Sequence, residues 1–128
     1  MNKNADPLAW ATLAEEDYLL ARLALSQEKP LQYGVCFHAQ QCAEKYLKAI
    51  LALQGKAFPK THDLLALSDL CQQSGVIVPI SADRLDRLSA YAVQVRYPGE
   101  EPTLEETQDA IEIAQATRRF VREFVGLY

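Results

Sequence analysis

The sequence has few of the residues from which covalent or metal cross-links are built. It contains three cysteines and two histidines, and no two cysteines are separated by only two residues. An odd number of cysteines without metal-ligand spacing argues against a disulfide framework and against a zinc site. Cys36, Cys42 and Cys71 all fall within apolar helical patterns, so we expect small buried hydrophobic residues in a reducing compartment. We therefore expect no metal and no cofactor.

Long apolar runs and the common catalytic motifs are also missing. There is no run of roughly eighteen apolar residues, and residues 1–6 are polar. We therefore expect a cytoplasmic protein with neither a membrane span nor a signal-peptide core. The sequence has no Gly-rich phosphate loop, no Gly-x-Ser-x-Gly elbow and no His-Glu-x-x-His helix, which argues against the corresponding site types.

What the chain does have is the composition of one folded domain. It has 128 residues, of which 49% are apolar and 23% are charged. The formal net charge is −4, so we expect no bulk binding of nucleic acid, which usually requires a basic surface. The charge is uneven, because residues 31–62 contain four lysines and one acid, whereas residues 99–112 contain six acids and no base. One face is therefore expected to attract an anion that another face repels.

Apolar residues recur every three or four positions along five segments, which predicts an all-α protein. Asp6 and Ser81 are candidate N-caps, Thr103 and Glu106 match a capping box, and Gly55 stands at a candidate left-handed C-cap. We predict a single domain over residues 1–128, an antiparallel bundle of four to five helices. The expected helices cover residues 7–27, 31–54, 64–73, 82–95 and 103–126.

A polar stripe on the second predicted helix is the main candidate site. Four residues spaced by three, four and three positions lie beside the apolar ridge of this helix: His38, Gln41, Lys45 and Lys48. The two lysines can present point charges to phosphate or to an acidic partner, and a solvated helix face is the alternative. If the stripe binds a ligand, Lys48→Ala should weaken binding and cost little stability. Asp17, on the apolar stripe of the first helix, is either a rim residue or the partner of a site-lining cation.

Two loops supply the other candidate site residues. His62 and Asp63 stand immediately before the third helix, where His62 either projects toward a ligand or satisfies a backbone group. Arg96 and Tyr97 follow the fourth helix and could clamp a phosphate and stack on a base, or simply end the helix in a turn. The arginines of the fifth helix are expected to face solvent: Arg118, Arg119 and Arg122.

Three blocks of the sequence resemble the HEPN domain of prokaryotes. In order they are residues 37–49 (FHAQQCAEKYLKA), 61–64 (THDL) and 96–99 (RYPG), and the match extends over roughly residues 9–125. The resemblance implies a bundle of about five helices, a homodimer and frequent genomic pairing with a minimal nucleotidyltransferase, often as a toxin–antitoxin-like system. It also favours one shared polar site built from His38, Lys45, Lys48, His62 and Arg96.

The chain departs from the HEPN pattern at one position that matters for activity. Many HEPN relatives are metal-independent endoribonucleases in which an arginine is followed, after four to six residues, by a histidine. In that mechanism the pair, supplied by both subunits of a dimer, cleaves RNA with the 2′-OH as nucleophile. After Arg96 the corresponding positions here hold Glu101, Pro102 and Thr103, so the expected general base or acid is absent. The acids around these positions would also repel an RNA backbone.

Three functions stay open on the sequence alone. The first is a module that binds a nucleotide or a nucleotidyltransferase, as one half of a toxin–antitoxin-like pair. The second is a divergent metal-independent endoribonuclease that uses His38 or His62. The third is a purely structural helical dimer.

Overall fold

The structure, a computed structural model, describes residues 6–93 and 97–127, and within these ranges its regular structure is entirely helical. This confirms the predicted all-α class. The predicted bounds of α1, α2 and α5 are within two residues of those observed, and those of α3 agree. The predicted end of α4 lies in residues 94–96, outside the described residues. The five helices are α1 (Pro7–Leu25), α2 (Gln32–Leu53), α3 (Leu64–Gln73), α4 (Ala82–Val93) and α5 (Leu104–Val125).

The helices begin and end where nearby groups bond their free backbone ends. Asp6 accepts hydrogen bonds from the first turn of α1, and Asp63 does the same for α3. The capping box of Thr103 and Glu106 is confirmed at the start of α5. Just after α2, Gly55 has a φ of 66°, a left-handed conformation that glycine adopts without a steric penalty. The local signals read from the sequence therefore set most of the helix boundaries.

The central helix of the bundle is α2, which contacts the four other helices. Tyr46, Leu47 and Ile50 of α2 are fully buried and form the middle of the core. Near the start of α2, the Gln32 side chain donates a 2.6 Å hydrogen bond to the carbonyl oxygen of Pro102, which precedes α5. Near the other end, Tyr46 contacts Arg122 of α5. The two helices therefore run in the same direction, and α3 and α4 lie between them in the chain.

The first helix packs antiparallel to α2 through small side chains. Its buried apolar residues are all alanines: Ala11, Ala14, Ala21 and Ala24. Because alanine side chains are small, the two helices approach closely, and long polar side chains of α2 can reach α1. Asp17 lies among these alanines and is only 6% exposed. The close packing of α1 and α2 is what places a carboxylate against the polar stripe of α2.

The described residues offer little for redox or metal chemistry. Cys36, Cys42 and Cys71 are buried, as predicted, and none of them forms a disulfide within the described residues. Burial raises the pKa of Cys71 to about 12 and also raises the pKa of Cys42, so neither thiol forms a reactive thiolate. Within residues 6–93 and 97–127 no three metal-ligating side chains come together. None of the helices in these ranges is both long and apolar enough to cross a membrane.

Candidate functional site

Two buried carboxylates organise the polar side of α2. Asp17 of α1 is 6% exposed and Glu44 of α2 is 3% exposed. A carboxylate removed from water must be paired or hydrogen-bonded, because burying an isolated charge costs many kcal/mol. Each of the two acids is bound by one lysine and one histidine. We call these groups the Asp17 cluster and the Glu44 cluster.

The Asp17 cluster joins α1 to one side of α2. The Oδ1 atom of Asp17 lies 2.9 Å from Nδ1 of His38, and its Oδ2 atom lies 2.6 Å from Nζ of Lys45. His38 and Lys45 are seven residues apart, so they project from the same side of α2 two turns apart. Asp17 is therefore the partner of a cation, Lys45, and the alternative of a rim residue reaching water is wrong.

The Glu44 cluster joins α2 to the loop before α3. Oε2 of Glu44 accepts a 2.9 Å hydrogen bond from Nζ of Lys48, and Oε1 lies 2.7 Å from Nδ1 of His62. Gln40 Nε2 lies 3.2 Å from the same Oε1 and also donates to the carbonyl oxygen of His62. Burial alone would raise the pKa of Glu44. The hydrogen bonds from Lys48, His62 and Gln40 outweigh burial and hold this pKa below its usual value.

Lys48 is more buried than the sequence suggested. It is 7% exposed, and its Nζ atom lies 5.4 Å from the ring centroid of Trp10 and 5.9 Å from that of Phe58. The ammonium group is thus held by Glu44 and by two aromatic faces. The expectation that losing Lys48 costs little stability is wrong for this environment. When the histidines are neutral, Lys45 is paired with Asp17 and Lys48 with Glu44, so the polar face of α2 is not a row of free positive charges.

The remaining predicted site residues differ in their placement. Gln41 donates a 2.8 Å hydrogen bond to Oε1 of Gln40, which ties it to the Glu44 cluster. The carboxylate of Asp63 accepts from the backbone of α3, so its observed role is that of a helix cap. Tyr97 is 67% exposed and forms no hydrogen bond with the described residues of either cluster. Arg96 lies outside the described residues.

Both histidines turn the same edge toward their carboxylate. Each uses Nδ1, and the Nε2 atoms make no hydrogen bond to the described residues. The side chain of His62 is 69% exposed, and that of His38 is 28% exposed. An imidazole held in this way presents Nε2 as an acceptor when it is neutral and as a donor when it is protonated. The arrangement can therefore bind a phosphate or a polar protein group, and it can also exchange a proton with a ligand.

A second charged region, between α1 and α5, was not found from the sequence. Arg118 binds both carboxylate oxygens of Glu15 at 2.7 Å, and the hydroxyl of Tyr46 donates to the same glutamate. The Arg118 hydrogen bonds lower the pKa of Glu15. The prediction that the α5 arginines face solvent is wrong for Arg118 and Arg122, which are half-buried. The available signal was their spacing of four residues directly beside the apolar stripe of α5.

Comparison with known proteins identifies the family. The family model described as HEPN domain matches residues 8–124. The crystal structure of TT1696 from Thermus thermophilus superimposes with a TM-score of 0.68 at 23% identity, over 91% of this chain and 96% of that chain. At this identity the likeness shows a shared fold alone. Among curated proteins no match is found. Because the family model spans nearly all of the five helices, the chain belongs to the HEPN domain family.

Proposed function

We propose that this HEPN protein is a binding module, the partner of a minimal nucleotidyltransferase in a toxin–antitoxin-like pair. The docking face would be formed by the Asp17 and Glu44 clusters and would contact the transferase or the nucleotide that it carries. One observation carries the proposal. Glu44 of α2, which is only 3% exposed, holds the imidazole of His62, whose side chain is 69% exposed.

The physical argument concerns preorganisation. Ordering a long polar side chain when a partner binds costs about 0.5–1.5 kcal/mol, which lowers affinity. Here His38, Lys45 and His62 are already held by buried carboxylates 2.6–2.9 Å away. Such a face binds a polar or anionic group with little further ordering.

The segment after the fourth helix supports a module without ribonuclease chemistry. At the positions where active relatives carry histidine, this chain has residues with structural roles. The Glu101 carboxylate accepts from the backbone of Gly99, and the carbonyl oxygen of buried Pro102 accepts from Gln32. Thr103 caps α5. A histidine would lose the side-chain bond at position 101 or 103. At position 102 the backbone carbonyl would still accept from Gln32, but the buried proline ring would be replaced by a larger side chain.

The outer face of α1 supports the homodimer that the resemblance implies. Leu8, Leu19 and Leu23 are each more than half exposed and lie along one side of the helix, with Leu20 beside them. A contiguous apolar patch of this kind commonly marks a protein–protein interface. Light scattering should therefore give twice the monomer mass for the wild type and the monomer mass for Leu19→Glu/Leu23→Glu. A monomeric wild type would remove the dimer from the proposal.

The test of the proposed function uses the nucleotidyltransferase encoded beside this chain, if the neighbouring gene encodes one. Isothermal titration should detect binding by the wild type, weakened about tenfold or more in His62→Ala. In this variant Glu44 keeps Lys48 and Gln40 as donors, and circular dichroism checks the fold. Asp86→Asn is the matched control, since Asp86 is exposed on α4 and forms no ion pair with the described residues. Thermal shift with millimolar ATP tests direct nucleotide binding. Absence of both responses would leave the purely structural dimer.

A divergent endoribonuclease is the second candidate, and a specific observation favours it. The pairs Asp17–His38 and Glu44–His62 place a carboxylate on Nδ1 of an imidazole, the arrangement that orients a histidine for general-base catalysis. If either pair is catalytic, purified protein should cleave RNA without metal, and His38→Ala or His62→Ala should abolish cleavage. Cleavage that is unchanged in both variants would come from a contaminant.

A further inference from the structure

The groove between α1 and α5 has more positive charge than its own acids neutralise. A pocket of about 370 Å³ in this groove is lined by Tyr18, Gln115 and Leu127 together with three arginines and one acid: Arg118, Arg119, Arg122 and Glu123. Arg22 lies beside it, because its guanidinium carbon is 5.8 Å from the Tyr18 ring centroid and its NH1 donates to the Tyr18 hydroxyl. None of these residues belongs to the Asp17 or Glu44 cluster.

The ion pairing here differs from that around Lys45, Lys48 and Arg87. Each lysine of the α2 face has its own buried acid, and Arg87 of α4 is bound by two acids, Asp83 and Asp109. In the groove, Glu15 is bound by Arg118 alone. The other three arginines form no ion pair within residues 6–93 and 97–127: Arg22, Arg119 and Arg122.

The available donors converge on the same pocket. Arg122 makes one long hydrogen bond of 3.5 Å, to the Tyr46 hydroxyl, so most of its donors are unused among the described residues. Arg119 is exposed and makes no hydrogen bond with them. The Gln115 amide donates a weak 3.3 Å bond to Tyr18 and lies at the pocket wall. A guanidinium binds phosphate oxygens with two parallel hydrogen bonds and loses little hydration in doing so.

We propose that this groove is an anion site that takes the phosphate group of a small phosphorylated ligand, with Arg119 and Arg122 as its main contacts. Arg118 stacks 4.6 Å from the Tyr18 ring centroid and is held by Glu15, so it positions the wall of the site. A volume of about 370 Å³ suits a small molecule. A long polyanion is disfavoured, because Glu123 lines the pocket itself and Glu112 lies on α5 two turns before Arg119.

The test is calorimetric titration of the full chain with inorganic pyrophosphate in low-salt buffer. We expect saturable binding by the wild type, weakened about tenfold or more in Arg119→Gln/Arg122→Gln and in the single variant Arg119→Gln to a smaller extent. The single variant removes an exposed side chain without described bonds, so it leaves the fold intact, which circular dichroism checks. Lys56→Gln is the matched control and should bind as the wild type does. In NMR spectra, pyrophosphate should shift the Gln115 side-chain amide and the backbone amides of residues 115–122.

Several results would overturn the assignment. One is a wild type that does not bind pyrophosphate at about 10 mM, a concentration above the roughly micromolar-to-millimolar dissociation constants expected of a functional site. Equal binding by Arg119→Gln/Arg122→Gln is another. Shifts confined to residues 38–48 would place the anion on the α2 face instead. Tight binding of a short single-stranded RNA with negligible pyrophosphate binding would replace the small ligand by RNA. Because the variants avoid both clusters, failure here leaves the proposed function standing.

Discussion

Replacing Lys48 by methionine is the sharpest perturbation of the Glu44 cluster. Methionine keeps most of the apolar stem that packs near Trp10 and Phe58 but removes the ammonium group. Glu44, with a side chain only 4% exposed, then keeps His62 Nδ1 at 2.7 Å and Gln40 Nε2 at 3.2 Å as donors. Breaking a fully buried ion pair typically costs about 3–5 kcal/mol. Because two donors and the exposed His62 edge remain, we expect a loss of about 2–4 kcal/mol in the free energy of unfolding at pH 7.

The pH dependence of this loss gives a second readout. In the wild type the pKa of Glu44 is below its usual 4.5, so its contribution to stability is present above that pH and is lost as the pH falls through the folded-state pKa. Lys48→Met removes one of the groups that lower this pKa, so the pKa of Glu44 should be higher in the variant than in the wild type. The variant therefore loses less stability than the wild type as the pH falls. The difference between the two proteins should therefore shrink in acid.

Urea unfolding followed by circular dichroism measures both effects. The double variant Glu44→Gln/Lys48→Met removes the charge as well as its partner, and it should recover to within about 1 kcal/mol of the wild type. A loss below about 0.5 kcal/mol in Lys48→Met, the usual limit for a surface change, would refute the buried pair. So would a double variant as unstable as the single one.

Three further changes test the fold with the same assay. Leu47→Ala opens a cavity at a fully buried position of α2 and should cost about 2–5 kcal/mol, and a cost below about 1 kcal/mol would contradict its place in the core. Thr103→Ala removes the hydroxyl that accepts from Glu106 and should cost about 1 kcal/mol; no measurable change would count against the capping box. Glu15→Gln weakens the pair with Arg118. Since the pKa of Glu15 is lowered, the wild type should lose this stability below about pH 4.5 while the variant shows a flatter acid profile; parallel profiles would contradict the pairing.

The fold could be predicted because its determinants are local. Several helix ends are marked by residues that lie within a few positions of the groups they bind or cap: Asp6, Gly55 and the Thr103–Glu106 capping box. Such short-range signals can be recognised in the sequence alone. Tyr46 and Leu47 belong to the apolar positions that recur every three or four residues along α2, and both are fully buried. Neither inference requires knowledge of which helix packs on which.

The site could be predicted only in part, because its contacts join distant positions. His38 and Lys45 were recognisable as one stripe, but their binding to Asp17 depends on how closely α1 approaches α2. The buried state of Lys48 depends in the same way on Trp10 of α1. A polar stripe beside an apolar ridge has the same sequence pattern whether it is solvated or buried. Only the packing of the neighbouring helix distinguishes the two cases.

The most direct test of the α2 docking face is hydrogen–deuterium exchange of this chain, alone and with an ATP-loaded minimal nucleotidyltransferase, the class of partner that we propose. The loop between α2 and α3 has few backbone hydrogen bonds, so its amides should exchange quickly in the free protein. We predict that the partner slows exchange at residues 56–63, next to His62, and at the start of α2 around His38. Protection that appears only on α4 or α5, with residues 56–63 unchanged, would contradict the docking face.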